Sequence, residues 1–334
     1  MNSYDDVRTH RRLVADHVRT RAFFDSITAT VKPGDVVLDV GAGSGILSLF
    51  AARAGAARVY AVERAPGAAA LARRLVALNG LADRVHVVEG DLAHVVLPER
   101  VDVLVSEWLG VYGVDEYMLG SVLVARDRYL KPNGRLIPDT VTSWAAPAAH
   151  PAGQEAVELH TRPYELDLTP LAPFSLDQAV WIPASVPAGS LRAEPQPLWV
   201  VRTATMSTPA AWAPFRADCS FRLDGGGVNC LAVWFSASMP GAHPLSNGPG
   251  QPATHWGQFL FPLASVGDLG AGDELRITFE CLPADWGGAD HRWSAWSGAG
   301  GVERHDTRRG RGRAWAPPWR VAHSDATTEI RGAD

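Results

Sequence analysis

The sequence predicts two domains in order: an α/β domain built on a parallel, doubly wound sheet, then an antiparallel β-barrel or β-sandwich. Strand-like apolar runs alternate with helix-like segments up to about residue 139, which is the pattern of βαβ units. Beyond that point proline and tryptophan become dense, and short alternating runs are separated by turn clusters. That second pattern is typical of antiparallel sheets. A length of 334 residues accommodates both domains.

Local patterns place the elements of the first half. Apolar runs rich in β-branched residues predict strands at 36–40, 59–62, 85–88, 101–105 and 134–137. Amphipathic segments predict helices at 5–24, 46–54, 68–79 and 116–129. Gly80 closes the third of these helices. Parallel strands of such a sheet end at one edge, and open α/β folds bind their ligands there.

The second half carries short alternating runs at 198–201, 230–235, 259–261 and 275–279. This alternation predicts antiparallel strands, and the Gly-rich cluster 224–227 predicts a turn between two of them. The stretch 165–197 is rich in proline, alanine and leucine and interrupts the pattern. It fits either an inserted arm or a long loop.

Composition excludes several classes of protein. The hydrophobic fraction of 46% and charged fraction of 20% fit a globular chain with an ample core. A net charge of -5 argues against a general nucleic-acid binder. The charged N-terminus lacks a signal-peptide pattern, and the sequence lacks an apolar run of about 18 residues. We therefore expect a cytoplasmic protein that binds neither nucleic acid nor membrane.

Two further compositional features bear on chemistry and source. Cys219, Cys230 and Cys281 are odd in number and far apart, which predicts neither a disulfide framework nor a metal site. Of the 31 basic residues only Lys32 and Lys131 are lysine, which favours a GC-rich coding sequence and a bacterial source. The Arg/Gly-rich run 308–313 fits a nucleic-acid patch or a self-modified segment, but its local charge favours a flexible loop.

Glu107 and Glu116 are separated by eight residues and follow the predicted strand 101–105. Gly110 and Gly113 lie between them, so the segment can fold back on itself. Two carboxylates would then face one small volume at the edge of the sheet. Such a pair is unfavourable unless a cation lies between the two charges. The sequence therefore predicts a cation-binding pocket, and two unrelated acids on a solvated loop are the alternative.

The predicted turn at 39–45 (DVGAGSG) joins the first strand to the next helix. Its glycines allow a ligand to approach the backbone closely. The dinucleotide fingerprint is GxGxxG, whereas the GxGxG spacing of Gly41 and Gly43 resembles the first motif of S-adenosylmethionine methyltransferases. Glu63 ends the second strand, where an acid can bind ribose hydroxyls, and Asp91 and Leu92 end the third strand.

Two motifs resemble one family. The segment 106–119 (SEWLGVYGVDEYML) resembles the double-glutamate hairpin of the protein arginine methyltransferases. Thr254-His255-Trp256 resembles their Thr-His-Trp loop. The resemblance runs from about residue 4 to about residue 283 in the family's order. It implies an N-terminal helical lid at 1–30, a Rossmann-like class I methyltransferase domain at 31–139, and a β-barrel at 140–334 with a dimerisation arm at about 165–197.

The resemblance also implies roles for individual residues. The expected catalytic residues are Glu107, Glu116, His255 and Asp16. The expected contacts to S-adenosyl-L-methionine are Tyr4, His10, Arg19, Asp39, Gly41, Gly43, Glu63, Asp91, Leu92 and Met118. The expected substrate contacts are Leu13, Trp108 and Trp256. A homodimer is implied as well, and no metal.

Some of these roles depend wholly on the resemblance. For Arg19 and His10 the residues alone indicate only a charged helix surface, and Trp256 fits the barrel core equally well. Ala93 stands where family members have an acid near the adenine, so Asp91 or backbone groups would replace it. Leu13 stands in place of a common methionine, which leaves the product pattern open.

The expected chemistry follows from charge. A guanidinium has a pKa of roughly 12.5–13.8, so a glutamate does not deprotonate it in advance. Asymmetric pairing with Glu107 and Glu116 would instead hold the positive charge away from the attacking nitrogen. The proton would leave toward Glu116, then His255 and Asp16.

The sequence leaves three functions open, two of which differ in the molecule that receives the methyl group. Free arginine or a guanidino natural product is preferred here, because the chain is compact and has no recruitment domain. Arginine residues in a protein or peptide are the alternative. A scaffold that binds the cofactor without catalysis is the alternative of another class, and the GxGxG spacing disfavours a dehydrogenase.

Overall fold

The computed structural model describes residues 6–158, 163–264, 266, 269–285, 287–298 and 301–309. Tyr4 and the run 310–313 lie outside them. The helices are α1 (Val7–Ala15), α2 (His17–Thr30), α3 (Ile46–Arg53), α4 (Pro66–Leu78), α5 (Leu119–Tyr129), α6 (Pro151–Glu158) and α7 (Ala172–Leu176). The strands are β1 (Val36–Val40), β2 (Arg58–Glu63), β3 (Val85–Glu89), β4 (Val101–Val105), β5 (Leu130–Ile137), β6 (Thr140–Ala148), β7 (Val180–Ile182), β8 (Gln196–Arg202), β9 (Phe215–Arg222), β10 (Cys230–Ser238), β11 (Leu245–Ser246), β12 (Gln258–Pro262), β13 (Glu274–Pro283), β14 (Ala289–Ser297) and β15 (Gly301–Asp306).

The predicted parallel sheet is present, with strand order β3-β2-β1-β4-β5. All five residues of β1 are buried, because strands covered on both faces are apolar throughout. The order reverses at β1, which makes its carboxyl end the usual ligand crevice of such folds. The register pairs Asp39 with Val105 and Val40 with Val62. The glycine turn, Glu63 and Glu107 therefore leave the sheet at the same edge.

The predicted helix at 5–24 is two helices, and this prediction was wrong at Asp16. That residue takes an extended backbone conformation (φ −72°, ψ 93°) between α1 and α2. Its side chain accepts a hydrogen bond from the Arg19 backbone N–H at 2.9 Å, which is the N-cap arrangement. The apolar spacing continues across the break, so periodicity alone joined the two helices.

The helix predicted at 116–129 begins later, at Leu119. Tyr117 has a positive φ of 53°, which a helix does not accommodate. A turn and two residues without regular structure therefore separate the Gly110–Gly113 hairpin from α5, and Glu116 lies in that turn.

The second half contains two antiparallel sheets, as predicted. One has the order β7-β12-β10-β6-β8, with β11 beside β10, and the other has the order β15-β14-β13-β9. Strand β9 alternates strictly between buried and exposed residues, so one face lies on the core. Aromatic side chains fill that core, including Phe261, Phe279 and Trp293.

The predicted arm at 165–197 is only partly separate from the barrel. Strand β7 pairs with β12, and Leu191 forms a bridge with Ala148, so the later part of the stretch belongs to the barrel sheet. The earlier part carries exposed apolar side chains at Leu166, Leu171 and Phe174, and Tyr164, directly before the stretch, is exposed as well. No helix in the described ranges is long and apolar enough to cross a membrane.

Candidate active site

The turn between β1 and α3 is built from glycines in left-handed conformations. Gly41 has φ 71° and Gly43 has φ 55°, which residues with a Cβ rarely adopt. Two predicted cofactor residues lie directly against this backbone. A Cβ on Gly41 would be 3.5 Å from Met118 Cε, and one on Gly43 would be 3.0 Å from His10 Cε1. The turn therefore presents bare backbone to His10 on α1 and to Met118.

Glu63 is held at this turn by two backbone amides. Its Oε2 accepts from Gly43 N and its Oε1 from Ala65 N, both at 2.8 Å. The residue is buried. Each carboxylate oxygen has a further lone pair, so the side chain can still accept hydrogen bonds from a ligand's hydroxyl groups.

Asp39 is fully buried behind the turn. Its Oδ2 accepts from Ser48 Oγ at 2.6 Å, while Oδ1 has no partner among the described residues. Burial raises the pKa of Asp39 to about 7. The Ser48 hydrogen bond opposes this rise, and the negative charge of Glu63 adds to it. Asp39 thus has no exposed surface, and its hydrogen bond to Ser48 links the end of β1 to α3.

Asp91 and Leu92 are placed less favourably than predicted. Asp91 is exposed, and its Oδ1 accepts from Ala93 N at 2.8 Å. Leu92 lies in the hydrophobic core, and its carbonyl accepts from Arg128 Nη1 at 3.0 Å. Arg128 was missed by the sequence analysis, since a basic residue on a helix gives no sign of such a distant contact.

Glu107 lies at the carboxyl end of β4 and is bound by a guanidinium from the chain itself. Arg19 donates from Nε and Nη2 to the same oxygen, Glu107 Oε2, at 3.1 and 3.0 Å. The other oxygen accepts from Leu109 N at 3.0 Å. Both side chains are largely buried, with exposed fractions of 6% and 11%. Arg19 Nη1 is buried with no partner in the part of the chain that is described.

Glu116 is half-buried on the opposite limb of the same hairpin. An antiparallel bridge joins Gly110 and Gly113 at its tip. Outside that bridge, residues 114–116 form a bend and a turn, so no strand ladder sets Glu107 opposite Glu116. The two acids lie on the two limbs of one short hairpin, and their facing one another stays a prediction.

Asp16 links the α1–α2 break to the Thr-His-Trp loop. Its Oδ2 contacts both the backbone N and Nδ1 of His255 at 2.8 Å. Burial alone would raise the pKa of Asp16, but hydrogen bonds from His255 and Arg19 outweigh it and hold the pKa below its usual value. These residues are 239 positions apart, so sequence spacing could not reveal the contact.

The predicted substrate residues have different environments. Trp108 is 1% exposed and lies in the core, so little of its surface is open to a substrate, and its role as a substrate contact stays a prediction. Trp256 is also buried, and its Nε1 donates to Leu109 O at 2.7 Å. Its ring lies 4.1 Å from that of His255. Leu13 is half-buried on α1.

The sequence analysis missed the residues that hold the hairpin. Asn247 Nδ2 donates to Val111 O at 2.6 Å, and Ser143 Oγ donates to Tyr112 O at 2.6 Å. The Tyr112 hydroxyl contacts His291 Nε2 at 2.8 Å inside the barrel. Burial lowers the pKa of His291 to about 3, so this histidine is neutral. The described residues contain no cluster of metal-binding side chains.

Comparisons with known proteins match these features. A family profile described as "Arginine methyltransferase oligomerization subdomain" matches residues 99–292. Another, described as "Ribosomal protein L11 methyltransferase (PrmA)", matches residues 15–111. Protein arginine N-methyltransferase 6 of Danio rerio is 32% identical over 296 residues, which cover 85% of this chain and 84% of that protein. The chain belongs to the protein arginine N-methyltransferase family.

Other members of the protein arginine N-methyltransferase family match part of the chain or its fold. Probable protein arginine N-methyltransferase 6 of Arabidopsis thaliana is 45% identical over 152 residues, or 45% of this chain and 35% of that protein. The solved Trypanosoma brucei PRMT1 enzyme-prozyme heterotetrameric complex with AdoHcy has a TM-score of 0.82 at 27% identity, covering 91% of this chain and 99% of that chain. These relatives are eukaryotic, and the bacterial source stays a prediction.

Proposed function

We propose that the protein is an S-adenosylmethionine-dependent methyltransferase that acts on the guanidino group of arginine residues in a protein or peptide. Family membership supports the transfer to arginine. The observation that carries the proposal is the position of Glu107, whose carboxylate binds a guanidinium beside the glycine turn. A site that already accommodates one guanidinium group in ion-pair geometry has the chemistry to bind a second.

The residues at the glycine turn fit the cofactor. Arg19 Nη1 is a buried donor without a partner among the described residues, and a carboxylate is the group that an arginine fork binds best. Gly41 and Gly43 leave the backbone open, and Glu63 can accept from ribose hydroxyls. When bound, S-adenosylmethionine supplies an electrophilic methyl group on a cationic sulfur. The AdoHcy in the Trypanosoma brucei complex supports this choice.

The two glutamates balance the charges of the reaction. Bringing a guanidinium next to a cationic methyl donor is unfavourable without nearby negative charge. Glu107 and Glu116 supply that charge from two limbs of one hairpin. Their oxygens accept guanidinium N–H groups and hold the plane of the acceptor. Alignment of this kind can contribute on the order of 7–11 kcal/mol to a two-reactant step.

The proton released by the guanidinium needs an acceptor, and the Asp16–His255 pair is a candidate because it is linked to the hairpin through Trp256. His255 lies against Trp256, which binds the hairpin through Leu109 O. Asp16 keeps its charge over a wide pH range because its pKa is lowered. Asp16 lies 2.8 Å from His255 Nδ1, so we expect the pair to receive the proton after transfer.

The preference for free arginine is not supported. The relatives that match most of the chain are named protein arginine N-methyltransferases, which favours the peptidic acceptor. The test is to incubate the enzyme and labelled S-adenosylmethionine with free arginine, an Arg-Gly peptide and a host lysate. We expect label on the peptide and on lysate proteins. Label on free arginine alone would restore the small-molecule reading, and no label in a single-turnover assay would favour a scaffold.

Oligomerisation through the early part of the arm completes the proposal. The matched profile is described as an oligomerization subdomain. Tyr164 is 91% exposed and Phe174 is 55% exposed, and large apolar groups that are exposed together mark interaction sites. We infer a homodimer in which these side chains are covered by a second copy.

A further inference from the structure

Asp115 is a buried acid inside the hairpin that carries the two glutamates. Its Oδ2 accepts from Val111 N and its Oδ1 from Tyr112 N, both at 3.0 Å. The residue is 8% exposed. A Cβ on Gly110 would overlap its carboxylate, so the glycine makes room for the acid. Asp115 therefore ties the limb that ends in Glu116 back to the tip of the hairpin.

Every backbone N–H from residue 109 to residue 113 has a partner. Leu109 N donates to Glu107 Oε1, and Gly110 and Gly113 donate to each other's carbonyl oxygens at 3.0 and 3.3 Å. The remaining two, on Val111 and Tyr112, donate to Asp115. Asp115 is thus the one side chain that satisfies the N–H groups at the turn between the two limbs.

A simpler reading is that Asp115 is an ordinary turn residue. Aspartate side chains commonly accept hydrogen bonds from nearby backbone in turns, but such turns lie on the surface, where the carboxylate stays hydrated. Here burial raises the pKa of Asp115 to about 6, against the lowering effect of the N–H groups of Tyr112 and Val111. Burying this carboxylate is energetically unfavourable, which indicates that the backbone conformation it stabilises is needed for a further purpose.

We propose that Asp115 is a positioning residue for methyl transfer, which fixes the hairpin backbone so that Glu107 and Glu116 face the same acceptor. This inference rests on the proposed function. The carboxylate touches neither the predicted cofactor residues nor an open surface, so it acts through the backbone. On the other side the hairpin carbonyls of Leu109, Val111 and Tyr112 are bound by the barrel. Asp115 binds the N–H groups of Val111 and Tyr112, so both the donors and the acceptors of the hairpin backbone are held.

The Asp115→Asn variant tests the role with little change in shape. An asparagine has one acceptor oxygen, and its NH₂ group would face a backbone N–H that now lacks an acceptor. We expect kcat to fall by about 10- to 100-fold, because a small misplacement of the reacting groups lowers the rate by that order. Binding of S-adenosylmethionine, measured by calorimetry, should change less than about twofold. Asp273→Asn is the control, since Asp273 accepts from Gly270 N in an exposed turn of the barrel.

A double-mutant cycle gives a second, independent test. Gly110 has an ordinary φ, so Gly110→Ala should disturb the hairpin only by displacing the Asp115 side chain. We expect Gly110→Ala and Asp115→Ala each to reduce kcat, and the double variant to lose no more than the worse single variant. Such non-additivity identifies residues that act through one contact.

Several outcomes would overturn the inference. Unchanged kcat in Asp115→Asn would remove the positioning role. Equal losses of kcat, cofactor affinity and the cooperative melting transition would make Asp115 a residue of the fold instead. Fully additive losses of kcat in the cycle would show that Asp115 and Gly110 act independently and not through one contact. An inactive wild-type enzyme would contradict the proposed function, whereas an active wild type with an equally active variant contradicts only this inference.

Discussion

Arg19 donates two hydrogen bonds to a single oxygen of Glu107, and this contact fastens α2 to the acid-bearing hairpin. The two side chains are 88 residues apart in the chain and both are largely buried. Buried ion pairs are costly to break, because one charge is then left without a partner. The position of Glu107 therefore depends on a residue that the sequence alone would place on a helix surface.

We expect Arg19→Lys to weaken S-adenosylmethionine binding by roughly 10- to 100-fold, because an ammonium is a point donor and cannot form the fork. The substitution would also remove Arg19 Nη1, the donor that we propose binds the cofactor's carboxylate. Isothermal calorimetry measures the affinity directly. Arg21→Lys is the matched control, since Arg21 lies on the same helix with 72% of its side chain exposed. Equal affinities for Arg19→Lys and wild type would contradict the assignment.

We expect Glu107→Gln to reduce kcat by roughly 10²–10³-fold, the usual effect of removing one electrostatic contact in an active site. The glutamine oxygen can still accept from Arg19, so cofactor affinity should change little. Single-turnover kinetics with an Arg-Gly peptide, alongside cofactor binding, measures both. Glu99→Gln, at a partly exposed acid paired with Arg58, should be fully active. A parallel loss of cofactor binding would show Glu107 to be structural.

Asp39 should make stability depend on pH in an unusual direction. Its folded-state pKa of about 7 lies above the usual value of 3.8, so between these two pH values the folded state binds more protons than the unfolded state. Its contribution is therefore fully present below about pH 4 and is lost as pH rises through about 7, by at most on the order of 4 kcal/mol. Urea unfolding of the ligand-free protein at pH 5 and pH 8 should show a steeper decline for wild type than for Asp39→Asn. Identical slopes would refute this prediction, and Asp25→Asn, at a half-buried acid that pairs with Arg21 on the surface of α2, is the control.

Disruption of the arm should dissociate the proposed homodimer. Phe174→Ser combined with Tyr164→Ser removes two exposed aromatic side chains, and each buried aromatic contributes roughly 1.5–3 kcal/mol. Light scattering after size-exclusion chromatography should show the mass of a monomer for the double variant. Leu78→Ser, at a side chain 73% exposed on α4, should leave the dimer intact. A wild-type protein that is already monomeric would count against the proposal.

The parallel sheet could be predicted from sequence because its central strands are buried on both faces and therefore consist almost entirely of apolar residues. Strand β1 is the clearest example, with every residue buried. The antiparallel strands were recognisable for a related reason, since one covered face produces alternation. The α1–α2 break was not recognised, because Asp16 interrupts the helix without a glycine or a proline.

The site was predictable only in part, and the limit was distance along the chain. Glycine spacing and strand ends indicated Gly41, Gly43 and Glu63 directly. The contacts Arg19–Glu107 and Asp16–His255 join segments 88 and 239 residues apart, so only the family resemblance suggested them. Asp115 gave no signal, because an aspartate beside a glutamate in a glycine-rich segment usually lies in water.

The acid-bearing hairpin is bound by three barrel side chains that follow it in sequence, Ser143, Asn247 and Trp256. A fragment that ended after β5 would keep the glycine turn and Glu63, which we propose bind the cofactor, yet lose the external support of the acid-bearing hairpin. If the proposed function holds, cofactor recognition needs only the first half of this polypeptide, whereas catalysis needs both halves. Shortening the enzyme to its first half should give a nucleoside receptor rather than a smaller catalyst, with turnover returning only when the second half is supplied.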